Sequence, residues 1–281
     1  MALKLMYITN NSDVARIAEA AGVDRIFVDM EYIGKAERQG GMDTVQSHHT
    51  IKDIKSVKSV ICTAELLVRV NPIHETVPEY GSSKEEIDAA IEAGADILML
   101  PYFKTIEEVK SFLGFVDGRV KTNLLVETPE AVDCLDQILA LPGIDEVHIG
   151  LNDLHLGYGK KFMFELLADR TVDVLCAKCK KAGIPYGFGG IASIGRGILP
   201  SEYIIKEHYR LGSTCVILSR SFCNVFKIND LEQIRSIFAD GVHKIRNLEE
   251  ECQKYSNYFT DNERIVAQKV KMICENKGKE A

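Results

Sequence analysis

Eight short apolar runs, each followed by a helical or polar stretch, recur along the 281 residues. They lie at 3–9 (LKLMYIT), 25–30 (RIFVDM), 66–70 (LLVRV), 96–101 (DILMLP), 123–126 (NLLV), 147–150 (VHIG), 185–190 (PYGFGG) and 214–219 (TCVILS). Between them, segments such as DVARIAEAAG, KEEIDAAIEAG and TIEEVKSFLGFV carry apolar residues at helical spacing. Ser82 and Thr105 precede acidic first turns, and Gly22 offers a stop for the first helix. Short apolar strands joined by amphipathic crossovers pair in parallel. Eight such units in a chain of this length specify a closed α/β (β/α)8 TIM barrel. An open nucleotide-binding sheet would need a glycine-rich turn after its first strand; the turn here is TNNSD, so that alternative loses. The reading divides the chain into a barrel over 1–228 and a C-terminal helical extension over 229–281. The extension's apolar stripe must cover either the barrel or a neighbouring subunit, and the neighbour is the favoured partner.

In a barrel all strands deliver their carboxyl ends to one rim, where active sites are built. That rim collects Asp29 and Glu31, Arg69, Glu127, Asp153, Gly189 and Gly190, and Ser219 with Arg220. Glu127 and Asp153 close successive strands of one β-α-β unit, so they emerge side by side. Two carboxylates placed so are hard-oxygen ligands for Mg²⁺ or Mn²⁺, completed by water and substrate. The competing reading makes both surface acids at loop starts. Arg69 offers a planar fork suited to a carboxylate, phosphate or developing enolate; its alternative is an ion pair with Asp29 or Glu31. The glycines from 187 to 197 and Arg220 could hold an anion, or serve only tight turn packing.

Bulk properties narrow the classes. Apolar content of 46% and charged content of 27% fit a globular domain, and the net charge of −7 argues against a general nucleic-acid binder. No apolar run approaches a membrane span and the N-terminus lacks signal-peptide features, so a cytoplasmic protein with reduced cysteines is expected. Cys176 and Cys179 form a C-x-x-C inside a predicted helix without a second pair, and read as helix residues rather than a zinc or redox site.

The segments GVDRIFVDMEY, LLVRVNP, GADILMLPYFKTIEEV and LLVETPEAVDCLDQILALPGIDEVHIGLNDL, in this order, resemble the HpcH/HpaI aldolase/citrate lyase family, from about Leu3 to Phe222. The resemblance implies a barrel of the class II, pyruvate-dependent aldolase type that makes or breaks carbon–carbon bonds in 2-oxo acids or acyl-CoA esters. Such proteins are typically oligomers whose C-terminal helices pack between subunits, so a homo-oligomer is expected. The resemblance also implies that Glu127 and Asp153 hold Mg²⁺ or Mn²⁺ and that the metal chelates a pyruvate-like 2-oxo acid. Arg69 would then stabilise the enolate oxygen. Asp29, Glu31 and Tyr32 join Arg69 as candidate catalytic residues; Leu151, Asn152, Gly189, Gly190 and Arg220 join it as candidate substrate-binding residues.

One departure stands out. Where the family carries an acidic residue followed by a proton-transferring histidine, this chain has Glu31-Tyr32. A tyrosine, with an ordinary pKa near ~10, is a poor base at neutral pH. His48 and His49 are candidate replacements, with solvated residues ahead of a helix as the alternative; His155 lies near the rim but at most supports it. Competing functions are a citryl- or malyl-CoA-type lyase, a phosphoenolpyruvate-utilising enzyme, and a non-catalytic metabolite-binding barrel.

Overall fold

A computed structural model describes residues 2–35, 49–78, 81–228 and 230–277. Eight parallel strands close into a barrel in sequence order: β1 (Lys4–Ile8), β2 (Arg25–Asp29), β3 (Glu65–Arg69), β4 (Ile97–Leu100), β5 (Lys121–Val126), β6 (Glu146–Ile149), β7 (Tyr186–Ile191) and β8 (Cys215–Leu218). The described helices, in chain order, are α1 (Ser12–Ala20), α2 (Ile51–Lys58), α3 (Ser83–Glu92), α4 (Ile106–Val116), α5 (Pro129–Asp133), α6 (Leu135–Ile138) and α7 (Leu151–Gly157). They continue with α8 (Glu165–Ala168), α9 (Thr171–Ala182), α10 (Ser201–Leu211), α11 (Leu231–Lys254) and α12 (Phe259–Lys277). All eight expected strands are present, within about a residue or two at each end.

Local chemistry explains the helix starts. Ser82 and Thr105 each form a reciprocal capping box, with Glu85 and Glu108 returning to the cap backbone. Asn11 accepts the N–H groups of Asp13 and Val14 and opens α1. The segment from 164 to 183 forms two helices rather than one. Arg170 takes a left-handed conformation (φ 67), and Asp169 accepts both the N–H and the hydroxyl of Thr171, which restarts the chain as α9. Cys176 and Cys179 are buried on α9 as free thiols, matching their reading as helix residues.

The barrel interior is layered. At the amino-terminal floor Arg25, fully buried, donates to both oxygens of Glu146 at 2.6 Å and to Glu65 at 2.9 Å, and Lys121 closes the other side of Glu65 at 2.5 Å. Above it lies an apolar layer that includes Met6, Phe27, Leu67, Ile97 and Leu125. The carboxyl rim follows. On β7, Gly187 makes close approach possible: a Cβ there would stand 2.3 Å from the Cys215 carbonyl oxygen. The β7–β8 register slips between Gly187 and Gly190, so β7 bends at the rim.

The C-terminal helices pack on the barrel, one of the two surfaces offered for their apolar stripe. α11 packs against α1 and α10, in the position of the barrel's own eighth helix. It buries Ile234, Phe238, Val242, Ile245 and Cys252, and Phe238 meets the Tyr7 ring edge-on at 4.8 Å. Arg246 ties it to the start of β1, donating to the Leu3 carbonyl at 2.8 Å and to Asp24 at 2.9 Å. The next helix is α12. It lies on α8 and α10, with Val266 and Val270 buried and Asn262 donating to Glu207 at 2.7 Å. The buried stripe of the extension packs on this chain's own barrel, because β8 needs a crossover helix on the outer wall as much as the other strands do.

Candidate active site

Residues at the ends of β2 and β3 stand opposite each other in register, Asp29 beside Arg69. The adjacency produces a two-pronged ion pair: Arg69 Nε and Nη2 donate to the two Asp29 oxygens, both at 2.8 Å. Arg69 Nη1 reaches Glu31 at 3.2 Å, and its guanidinium carbon lies 5.6 Å from the centre of the Phe27 ring. Lys35 is buried and bridges the same acids, at 2.9 Å from Asp29 and 3.3 Å from Glu31. The ion pair weighed as an alternative role for Arg69 thus exists. It does not remove Arg69 from the cavity, because Arg69, Asp29 and Lys35 all line it.

Electrostatics follow from this packing. Burial disfavours the charge on Asp29, but the charges and hydrogen bonds of Arg69 and Lys35 outweigh it and hold the carboxyl well below its usual range. Burial likewise works against charged Arg69, yet Asp29, Glu31 and Glu127 hold its pKa well above the ordinary value. Arg69 is therefore a permanent, pre-oriented cation.

Glu127 follows β5 directly. One of its carboxylate oxygens accepts the Tyr102 N–H at 3.0 Å, where Tyr102 adopts a left-handed turn (φ 48). The space for the carboxylate is left by Gly150: a Cβ there would sit 2.8 Å from both Cβ and Oε2 of Glu127. Asp153 is not at a strand end as expected. β6 stops at Ile149, and Asp153 is the third residue of α7, where a carboxylate is favoured by the helix N-terminus. Both acids line the same cavity. Their hard oxygens and the glycine-made cradle fit a divalent cation that takes its remaining ligands from water and substrate. Among the described residues no cluster of three or more His, Cys, Asp or Glu side chains forms a complete protein shell.

The cavity has a volume of about 730 Å³ and includes Leu151, Asn152, Gly189, Gly190 and Arg220 among its walls. Asn152 Nδ2 donates to Asp153 at 3.3 Å. Gly189 adopts φ +51, and a side chain there would strike Leu151. Glu31 and Tyr32 are not on the cavity wall: Glu31 is buried against Arg69 and Lys35, and Tyr32 is 37% exposed. The loop carrying them is pinned by Asn71, whose side-chain oxygen accepts the N–H groups of Tyr32 and Ile33 at 2.8 and 2.9 Å. Asn71 in turn donates to buried Glu86, whose carboxyl burial pushes up to about 7 despite those hydrogen bonds.

Among the histidines, His49 does reach the cavity, while His48 lies outside the described residues, as does most of the 31–48 loop. The Asp29 N–H donates to His49 Nδ1 at 3.0 Å, so Nε2 carries the proton of the neutral ring. Burial lowers its pKa against the pull of Asp29 and Asp53. His155 is buried within α7, bonded to the Leu151 carbonyl, away from the cavity. Sequence reasoning missed Lys35 and His148. His148 points into the barrel from β6, donates from Nε2 to the Gly189 carbonyl at 3.1 Å, and has its pKa pushed down by burial to about 4. Inward alternation along VHIG was the available signal for it.

A closed parallel barrel with a buried arginine–aspartate pair and two further carboxylates at its carboxyl rim defines a (β/α)8 protein with its site where barrel enzymes place theirs. A model of the HpcH/HpaI aldolase/citrate lyase family matches residues 4–187, and the chain belongs to that family. Solved structures with a similar fold include an HpcH/HpaI aldolase/citrate lyase family protein from Burkholderia cenocepacia J2315 (17% identity, 90% of this chain and 94% of that one, TM-score 0.57). An HpcH/HpaI aldolase from Desulfitobacterium hafniense DCB-2 matches at 17% identity, over 87% and 93% of the two chains, with TM-score 0.60. A citrate synthase variant, SbnG, matches at 14% identity over 90% and 95%, with TM-score 0.56. A search of curated protein sequences finds no match. Among the described residues no helix is long and apolar enough to cross a membrane.

Proposed function

We propose that the chain is a metal-dependent carbon–carbon lyase of aldolase type, acting on a 2-oxo acid through a pyruvate-type enolate. The observation that carries this reading is the guanidinium of Arg69, locked by Asp29 and Glu31 on the wall of the cavity that Glu127 and Asp153 also line. Glu127 and Asp153 would hold Mg²⁺ or Mn²⁺, which supplies Lewis-acid polarisation of a carbonyl when bound. Arg69 contributes a cation fixed where negative charge develops as the carbon–carbon bond breaks, so it favours the enolate over the neutral ketone. Its ion pairs are made before substrate arrives, and little reorganisation remains for the reaction itself. Lys35 keeps the two acids behind Arg69 compensated, leaving that cluster of two cations and two anions neutral. Neutral His49 presents Nε2–H as a donor, because its Nδ1 already accepts from the backbone.

The test is exchange of the pyruvate methyl protons in D₂O, followed by NMR, with Mg²⁺ or Mn²⁺ added. Exchange that requires metal and is lost in Glu127→Gln supports the reading. Metal binding without exchange, or metal binding unchanged in Glu127→Gln, refutes it.

A further inference from the structure

The cavity has two unlike walls. The ends of β2, β3 and β5, with the segments after them and α7, contribute its charge: Asp29, Lys35, Arg69, Glu127 and Asp153. The opposite side is built by the segments after β7 and β8; it carries Arg220 but is otherwise mainly apolar, with Ile198, Leu199, Val225, Phe226 and Ile228 lining it. Three polar groups near that side are engaged within the protein. The Tyr7 hydroxyl donates to the Cys223 carbonyl at 3.0 Å, Ser219 Oγ accepts the Ser221 N–H, and Asn11 caps α1. Two of the apolar side chains stand unusually open, Ile198 at 64% and Phe226 at 67% exposure, one on each of the two segments. A cavity of about 730 Å³ is in the range that encloses drug-sized ligands, and a three-carbon oxo acid would leave most of it to water.

We propose that the substrate carries an unbranched or aryl apolar chain several carbons long, seated against Ile198, Leu199, Val225, Phe226 and Ile228 while its oxo-acid end meets Arg69. The inference rests on the 2-oxo acid reading above and adds the class of substituent. The occupant follows from continuity: the apolar wall and the charged wall enclose one cavity, so a single molecule reaching from Arg69 toward β8 meets both. Each methylene transferred from water to such a wall strengthens binding about fourfold.

Calorimetric titration of the Mn²⁺-loaded protein with straight-chain 2-oxo acids, pyruvate to 2-oxooctanoate, tests it. Affinity should rise about fourfold per methylene over the first three added carbons, roughly sixty-fold in all. The double substitution Ile198→Ser and Phe226→Ser, at open positions that tolerate polarity, should collapse the ratio between the longest acid and pyruvate. A homologous series of straight-chain aldehydes with saturating pyruvate locates the chain. A slope in their kcat/KM assigns it to the aldehyde, and a slope only among the oxo acids assigns it to the donor. Either slope supports the proposal. Plain carboxylates from propanoate to octanoate separate the two readings. Chain-length dependence here, with no pyruvate binding, keeps the apolar wall and overturns the oxo-acid reading. Flat dependence in all three series, with pyruvate bound, overturns this inference alone. It is also overturned if the double variant leaves the slopes intact and instead dissociates an oligomer in light scattering, since the two side chains then serve a second copy.

Discussion

The substitution Gly150→Ala isolates the role of Glu127 without touching a charged group. Gly150 has φ −82, an ordinary value for alanine, so no backbone penalty arises from the change. The added methyl would lie 2.8 Å from Glu127 Cβ and Oε2 and 3.1 Å from Leu125 Cδ1. Ordinary carbon contacts begin near ~3.5 Å, so separations must grow by about 0.7 Å or more. The carboxylate oxygen can rotate away, but Cβ is fixed to the backbone, so the end of β5 must move with it. Forced overpacking of this kind costs about 1–3 kcal/mol, and a melting temperature lowered by a few degrees is expected. The functional effect should be larger in proportion. Shifting a ligand or its support typically weakens metal binding 10–100-fold, and a displacement near 1 Å can cost on the order of 10² in rate. Mn²⁺ affinity measured by electron paramagnetic resonance, alongside circular dichroism to establish folding, provides the assay. A folded Gly150→Ala protein that binds Mn²⁺ as tightly as the parent would refute the placement of the cation on Glu127.

Arg69→Lys keeps the charge but loses the fork shared with Asp29, and should lower metal-dependent pyruvate exchange by about 10²–10³-fold. Asp29→Asn leaves Arg69 and Lys35 with one carboxylate fewer in a buried site, so a loss of about 3–5 kcal/mol is expected in urea unfolding. His148 titrates near 4 in the folded chain against an ordinary 6.5, so the stability tied to its neutral form is complete above 6.5 and fades as pH falls toward 4. The full effect is about 3 kcal/mol, and His148→Gln should flatten that part of the stability–pH curve. Glu86 runs the opposite way: raised to about 7, its protonated form favours folding below about 4.5, and that contribution is lost as pH rises through 7. Glu86→Gln should therefore gain stability relative to the parent above pH 7, read from urea midpoints.

The barrel was legible because strand and crossover patterns repeat eight times, and a local misjudgement of a residue or two cannot disturb that count. The rim was legible to the extent that function sits at strand ends: Asp29, Arg69 and Glu127 are there. Asp153 was placed slightly wrongly because the apolar run VHIG conceals where extended backbone turns into α7. Lys35 escaped notice because nothing in its local sequence marks a lysine as buried; only the meeting of Asp29 and Glu31 with Arg69 creates the niche that holds it. Tyr32 occupies the place of the family's histidine in the linear pattern, yet with its backbone held by Asn71 it lies outside the cavity lining. The surface that α11 covers was not legible for a different reason. An amphipathic stripe specifies that something must cover it, but it carries no record of which surface that is.

The salt-bridged base formed by Arg25, Glu65 and Glu146 has a bearing on how the opposite end can change. Met6, Phe27, Leu67 and their neighbours form an apolar layer between two ionic clusters. Each cluster has its own hydrogen-bond partners, so substitutions made at the two ends should change stability additively. A barrel layered in this way can have its chemistry rewritten at the mouth while its foundation stays put.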